Sequence, residues 1–151
     1  MSTAEILRRL RLFLLVFSAM LFAGTIVELV LVNHHQDAIQ WLAFAFAGLG
    51  LLVTLAVLAR RGPMTVTLLR WSMLLVIGGS LFGVYEHVSN NIAFEREIQP
   101  NATMNRLMWK GVAGANPLLA PGTLAIAALL SLAGTYKYGI TNGGEAPIIN
   151  N

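Results

Sequence analysis

The chain contains no cysteine among its 151 residues. This excludes disulfide bonds, thiolate metal sites and the Cys-x-x-Cys chemistry of four-helix membrane thiol oxidoreductases. Charged residues are also scarce, at 11% of the chain, whereas 56% of the residues are hydrophobic and the mean hydropathy is +0.69. This composition is typical of a chain that lies mostly in lipid.

The sequence also lacks a segment long enough to form a soluble domain. The longest stretch outside the apolar runs, 86–116, has about 31 residues, fewer than the roughly 40 that a domain without disulfides or metals needs. The ten Lys and Arg residues are scattered at the ends of the apolar runs, so we expect no nucleic-acid partner. No HExxH motif or paired ExxH motif occurs. We therefore expect a non-enzymatic protein.

Long apolar runs dominate what is present. Each is close to the roughly 20 residues that cross a hydrocarbon core of about 30 Å. The runs cover residues 12–32, 39–59, 66–85 and 117–136. They predict an all-α integral membrane protein, a four-transmembrane-helix bundle within a single domain over residues 1–140. We expect the tail, 141–151, to be disordered.

The third apolar run is followed by a sequence that continues its helical pattern. Val84, Val88 and Ile92 recur at a spacing of four, and no proline interrupts the chain before Pro100. We therefore predict an extended third helix that projects from the membrane as far as Ile98. The remaining outer loop is predicted to contain a short amphipathic helix that lies flat on the outer leaflet, with its apolar face formed by Met104, Leu107 and Met108.

The distribution of Lys and Arg predicts the orientation in the membrane. Seven of them lie on the side that holds both termini, and three lie on the other side, namely Arg96, Arg106 and Lys110. Lys and Arg accumulate in short cytoplasmic segments. We therefore predict cytoplasmic N- and C-termini and a multi-pass location in a bacterial inner (plasma) membrane.

Small residues predict where helices approach each other closely. Gly79 and Gly83 form a GxxxG step in the third span, and the fourth span carries a row of small residues at Ala127, Ser131 and Thr135. Such residues allow close helix packing in lipid. We expect the two faces to pack together, although the same spacing is also compatible with a homodimer.

A group of ionisable residues lies at the predicted outer side. Glu28 falls inside the first apolar run, His34 and His35 follow that run, and Glu86 and His87 follow the third. Carboxylate and imidazole groups suit zinc, iron, manganese or copper(II), and a haem between His87 and one of the other histidines is a further possibility. The opposing interpretation is that these groups only mark the membrane boundary and form hydrogen bonds with one another.

Three functional hypotheses follow. The first is an accessory or structural subunit whose segment 86–116 contacts a membrane-protein partner or a second copy of the chain. The second is a small transporter in which Glu28 binds a proton or a cation. The third is an outer-face metal or haem site. A four-span chain with one acidic residue in its first helix is superficially similar to the small multidrug exporters, but Glu28 lies near the outer end and no exporter motif is present, so no residue role is transferred.

Overall fold

A computed structural model describes residues 1–116 and 118–138, and this part of the chain is all-helical, without β-strands. The prediction of an all-α chain is confirmed for these residues. The predicted tail, 141–151, lies outside the described residues. Three of the five helices, α1 to α3, are long and apolar enough to cross a membrane, and α5 is a shorter apolar helix. The bounds are α1 Thr3–Leu31, α2 Trp41–Ala59, α3 Pro63–Ile98, α4 Met104–Ala113 and α5 Leu119–Gly134.

Local sequence determines where two of the long helices begin. The Ser2 hydroxyl accepts a hydrogen bond from the backbone N–H of Glu5 at 3.2 Å, which caps the N-terminus of α1. Pro63 begins α3, where a missing N–H group has no cost. The Thr65 hydroxyl accepts a bond from the Gly62 N–H at 3.0 Å, so a polar side chain satisfies a backbone donor at the start of this helix.

The helices pack around a shared apolar core. α1 contacts α2 and α5, α3 contacts the same two helices, and α2 also meets α5. Phe22 is fully buried with its ring against Gly50, and the ring of Phe46 lies against Gly79. Glycine therefore allows α1 to approach α2, and α2 to approach α3. The core is formed by Leu15, Phe22, Ala47, Val53, Val57, Val66, Leu69, Met73, Val76, Leu124, Ala127 and Ala128.

Three fully buried hydroxyl groups link α1, α2 and α5 within this core. The Ser18 and Ser131 oxygens are 2.6 Å apart, and the Thr54 and Ser131 oxygens are 3.1 Å apart. Ser18 also donates to the Ala127 carbonyl at 2.7 Å. We call Ser18, Thr54 and Ser131 the hydroxyl layer. It satisfies polar groups in an apolar interior and fixes the three helices relative to one another.

The small residues pack differently from the expectation. Gly83 does approach α5, because a Cβ atom there would lie 3.2 Å from the Cβ of Pro121. Gly79 instead accommodates Phe46 of α2, and Ser131 forms hydrogen bonds with α1 and α2. α3 and α5 therefore pack together, but the close neighbours of Gly79 and Gly83 are Phe46 and Pro121 and not the row of small residues on α5.

The distal end of α3 forms a hairpin with α4. α3 has 36 residues and is about 54 Å long at 1.5 Å per residue. Glu95 binds Arg106 with 2.6 Å between Oε1 and Nε, and the side-chain amide of Asn91 donates to the carbonyl of Gly111 at 3.0 Å. From Arg106 to Gly111 along α4, the contacted residue on α3 changes from Glu95 to Asn91, which precedes it in the sequence. α4 therefore packs antiparallel to α3. The expected placement of α4 on the outer leaflet stays a prediction.

Candidate ligand-binding cavity

A cavity of about 410 Å³ lies between α1, α2, α3 and α5. It is found at the histidine end of the molecule, which we define as the end that carries His34, His35 and His87. The opposite end, with Arg8, Arg11, Arg60, Arg61 and Arg70, is called the basic end. Ionisable side chains from three segments line the cavity: Glu28, His34, Asp37, Glu86 and His87.

The end of α1 brings His34 to the rim of this cavity. Asn33 adopts a left-handed conformation with φ of 53°, which asparagine tolerates better than most residues. The N–H of His34 then donates to the Leu29 carbonyl at 2.9 Å, and the N–H of Asn33 donates to the Val30 carbonyl at 3.1 Å. This pair of bonds is a Schellman motif, and it turns the chain back over the last turn of the helix.

Four of the five predicted metal ligands line the cavity, namely Glu28, His34, Glu86 and His87. His35 does not. α1 ends at Leu31 instead of continuing for another turn, so His35 is exposed and lies edge-on to Trp41, with 6.2 Å between the ring centroids. The sequence could not predict this, because the position of the helix end decides which of two adjacent histidines faces inward.

The two histidines at the cavity are close neighbours. The ring centroids of His34 and His87 are 6.3 Å apart, and the rings are tilted by 45°. Burial lowers the pKa of His34 below its ordinary value, and the nearby charge of His87 lowers it further. His34 is therefore predominantly neutral at neutral pH.

The arrangement of these side chains offers no preformed metal site. Within residues 1–116 and 118–138, no three His, Asp or Glu side chains come close enough together to hold a metal ion. Zinc sites in proteins use three or four protein ligands at about 2 Å. The metal and haem hypotheses remain predictions from the sequence and gain no support from this geometry.

The cavity lining carries acidic side chains but no Lys or Arg among its described residues. The acidic side chains are the carboxylates of Glu28, Asp37 and Glu86. The salt bridges of Glu5 with Arg9 and of Glu95 with Arg106 lie away from the cavity. Low-dielectric walls strengthen the potential of such a group of carboxylates. The cavity therefore favours cations.

The rest of the lining is mostly apolar and includes two aromatic rings. Phe46 and Phe82 both line the cavity, and Gly79 provides the surface on which Phe46 rests. Sequence reasoning missed these positions, since a phenylalanine in an apolar run has the same pattern whether it faces lipid, core or cavity. It also missed Asn116, which reaches the cavity because its backbone N–H donates to Asn91 at 2.8 Å.

The cavity does not extend to the basic end. Towards that end, Thr25, Phe46 and Leu124 are its deepest lining residues on α1, α2 and α5, and the hydroxyl layer lies about two turns beyond them on each helix. This arrangement can bind a small cation that enters at the histidine end. Comparison of the chain with protein-family models, with curated proteins and with solved structures finds no match.

Proposed function

We propose that the protein binds a small organic cation, such as a protonated or quaternary amine, in the cavity at the histidine end. The observation that supports this most strongly is the lining itself, with three carboxylates and no Lys or Arg among its described residues. A carboxylate in an apolar environment is costly unless it is hydrated or meets a positive charge. A bound cation would supply that charge.

The remaining lining favours an organic cation over a metal ion. Phe46 and Phe82 line the cavity, and aromatic rings attract ammonium groups by cation–π interaction. The volume of about 410 Å³ lies within the range of small-molecule sites, roughly 300 to 1,000 Å³. Metal binding would need several ligands to converge, and the described residues do not converge in this way.

In this proposal the protein is a four-span inner-membrane protein with the histidine end outside. α5 is the fourth span, with 16 residues and about 24 Å of helix, shorter than the hydrocarbon core. The polar residues that flank α5 and local thinning of the bilayer would accommodate the difference. The excess of arginine at the basic end supports cytoplasmic termini. The cavity would then open to the outside of the cell.

Transport is the activity that follows from such a cavity. The structure would represent an outward-open state, and Glu28 on α1 would bind the cation or exchange it for a proton. Release on the other side would require the helices to separate at the hydroxyl layer and at Phe22, which fill the path to the basic end. Alternating access of this kind moves one pair of helices relative to another around a fixed site.

Binding of tetraethylammonium to the purified protein, measured by equilibrium dialysis, tests the proposal. We expect Glu28→Gln and Glu86→Gln each to weaken binding about tenfold or more, because each removes a partly buried charge interaction worth about 1.5–3 kcal/mol. Glu97→Gln is the matched control. Glu97 is exposed on the same helix as Glu86 and does not line the cavity, so its substitution should leave binding unchanged.

A second measurement separates binding from transport. Proteoliposomes that contain the wild-type protein should accumulate labelled tetraethylammonium, and Glu28→Gln should abolish this flux while the protein still elutes as a folded species. Equal binding of an alkyl sulfonate of similar size, or unchanged binding in both cavity variants, would contradict the proposal. Binding without flux would limit the role to recognition of the cation.

Partner binding is a second candidate function, because apolar side chains are exposed on the α3–α4 hairpin. These are Phe94, Ile98, Met104, Met108, Trp109 and Val112. The Met104 end lies well beyond Tyr85, the last residue of the predicted span, so lipid would not cover all of them. We propose another membrane protein as the partner. Met108→Glu should abolish its co-purification and leave cation binding intact; self-association of the chain would identify a homo-oligomer instead.

A further inference from the structure

A second, smaller cavity lies at the basic end and is lined by arginine. Its volume is about 40 Å³, and its charged lining residues are Arg8, Arg11 and Arg61, with no carboxylate among the described residues that surround it. A volume of this size holds about three water molecules, which is comparable to a single phosphate group. The cavity thus combines a strong positive charge with room for one small anion.

One arginine in this cavity has an unused donor. A terminal nitrogen of Arg11 donates to the carbonyl of Tyr136, but the buried Nε of Arg11 has no hydrogen-bond partner in the described part of the chain. Because this Nε atom is not accessible to water, an anion in the cavity would meet only the terminal nitrogens of Arg11. Arg11 still brings to the cavity a positive charge that no carboxylate of the described lining neutralises.

Hydrogen bonds to the C-terminal side of α5 hold the wall of the cavity in place. Arg70 donates to the carbonyl of Thr135 at 2.6 Å, and the Tyr138 hydroxyl donates to the carbonyl of Arg61 at 2.9 Å. Thr135 is fully buried and Tyr138 lines the cavity. These bonds hold the end of α5 and the backbone of Arg61 in place, whereas Arg8 and Arg61 are themselves exposed residues.

We propose that Arg8, Arg11 and Arg61 bind the phosphate group of an anionic phospholipid. The guanidinium group matches phosphate with two parallel hydrogen bonds, and it keeps its charge at every physiological pH. In the topology proposed above, the basic end lies at the cytoplasmic leaflet, where anionic headgroups are available. Free phosphate shares the same chemistry and is the alternative source. The inference does not depend on cation binding at the histidine end.

Binding of phosphatidylglycerol to the full chain in a neutral detergent, followed by native mass spectrometry, tests this site. We expect Arg8→Gln/Arg61→Gln to weaken binding at least about tenfold, because two charge-assisted contacts are removed. The control, Arg9→Gln/Arg60→Gln, removes the same charge from the adjacent positions, which do not line the cavity. It should weaken binding by less than about threefold, as is usual for screened surface charges.

Each outcome decides the proposal. An equal loss in the two double variants would show diffuse surface attraction and overturn the site, as would no loss in either. Binding of inorganic phosphate as tight as that of phosphatidylglycerol would overturn the lipid as the source. If Arg8→Gln/Arg61→Gln does not fold, Arg8→Lys/Arg61→Lys keeps the charge but loses the paired geometry, and unchanged lipid affinity in that variant would also overturn the proposal.

Discussion

The contact between Phe22 and Gly50 predicts a large effect from one added methyl group. A Cβ atom at Gly50 would lie 2.5 Å from two carbons of the Phe22 ring, which is fully buried. Overpacking of this kind costs about 1–3 kcal/mol. We expect Gly50→Ala to lower the free energy of unfolding by this amount. Reversible unfolding in mixed micelles of increasing SDS content measures the change.

Gly48 provides a matched control on the same helix. A Cβ atom there meets nothing within 4 Å, so Gly48→Ala should change stability by no more than about 1 kcal/mol and in the stabilising direction. Phe22→Leu in the background of Gly50→Ala should recover part of the loss, because it removes the atoms that clash. Equal stability of the two alanine variants would refute the packing of α1 against α2 described above.

Two further predictions concern the hydroxyl layer and the pair of histidines. Ser131→Ala removes bonds to Ser18 and Thr54, and we expect a loss of about 1–2 kcal/mol in the same assay; a loss below about 0.3 kcal/mol would contradict the layer. The pKa of His34 in the folded protein lies below 6.5, so the unfolded chain takes up this proton first and the free energy of unfolding falls as pH drops below 6.5. In His34→Gln this fall should be smaller, and an unchanged pH profile of stability would contradict the burial of His34.

The all-helical class could be predicted from the sequence because it depends only on the length and the composition of the apolar runs. Apolar runs of about 20 residues allow few structures other than helices, and α1 to α3 confirm this. The continuation of α3 to Ile98 also follows from local information, namely apolar residues at helical spacing and the absence of proline. α1 begins at Thr3, nine residues before the apolar run, because Ser2 caps a segment whose charged residues still favour helix.

The packing partners could not be predicted, because they depend on which face of each helix turns inward. Gly79 was expected to approach the fourth span, yet it accommodates Phe46 of α2, since only the three-dimensional arrangement decides which ring reaches a glycine. The packing of α4 along α3 could not be predicted for a similar reason. Its amphipathic pattern is the same on a membrane surface and along another helix, and the ion pair between Glu95 and Arg106 favours the latter.

The candidate site could be predicted as a set of residues but not as a cavity. The positions of Glu28, Glu86 and His87 at the ends of apolar runs indicated that they would lie at the same end of the molecule. The cavity is also lined by apolar side chains such as Phe46, whose role has no sequence signature. The sequence placed most arginines at the opposite end, but only the structure shows that the cavity lining contains Glu28, Asp37 and Glu86 and no Lys or Arg among its described residues.

The central claim is that an acidic cavity opens outside the cell, and cysteine labelling tests it directly. Since the chain has no cysteine, Ala43→Cys introduces a single thiol into the cavity lining. Asn101→Cys, exposed in the turn between α3 and α4 and away from the cavity, is the control thiol. In intact cells, the rate of the trimethylammonium methanethiosulfonate reagent divided by that of the sulfonate reagent should be about tenfold or more higher at position 43 than at position 101, and Glu28→Gln/Glu86→Gln should reduce this difference. The same ratio at both positions, or labelling of position 43 only from the cytoplasmic side, would contradict the account.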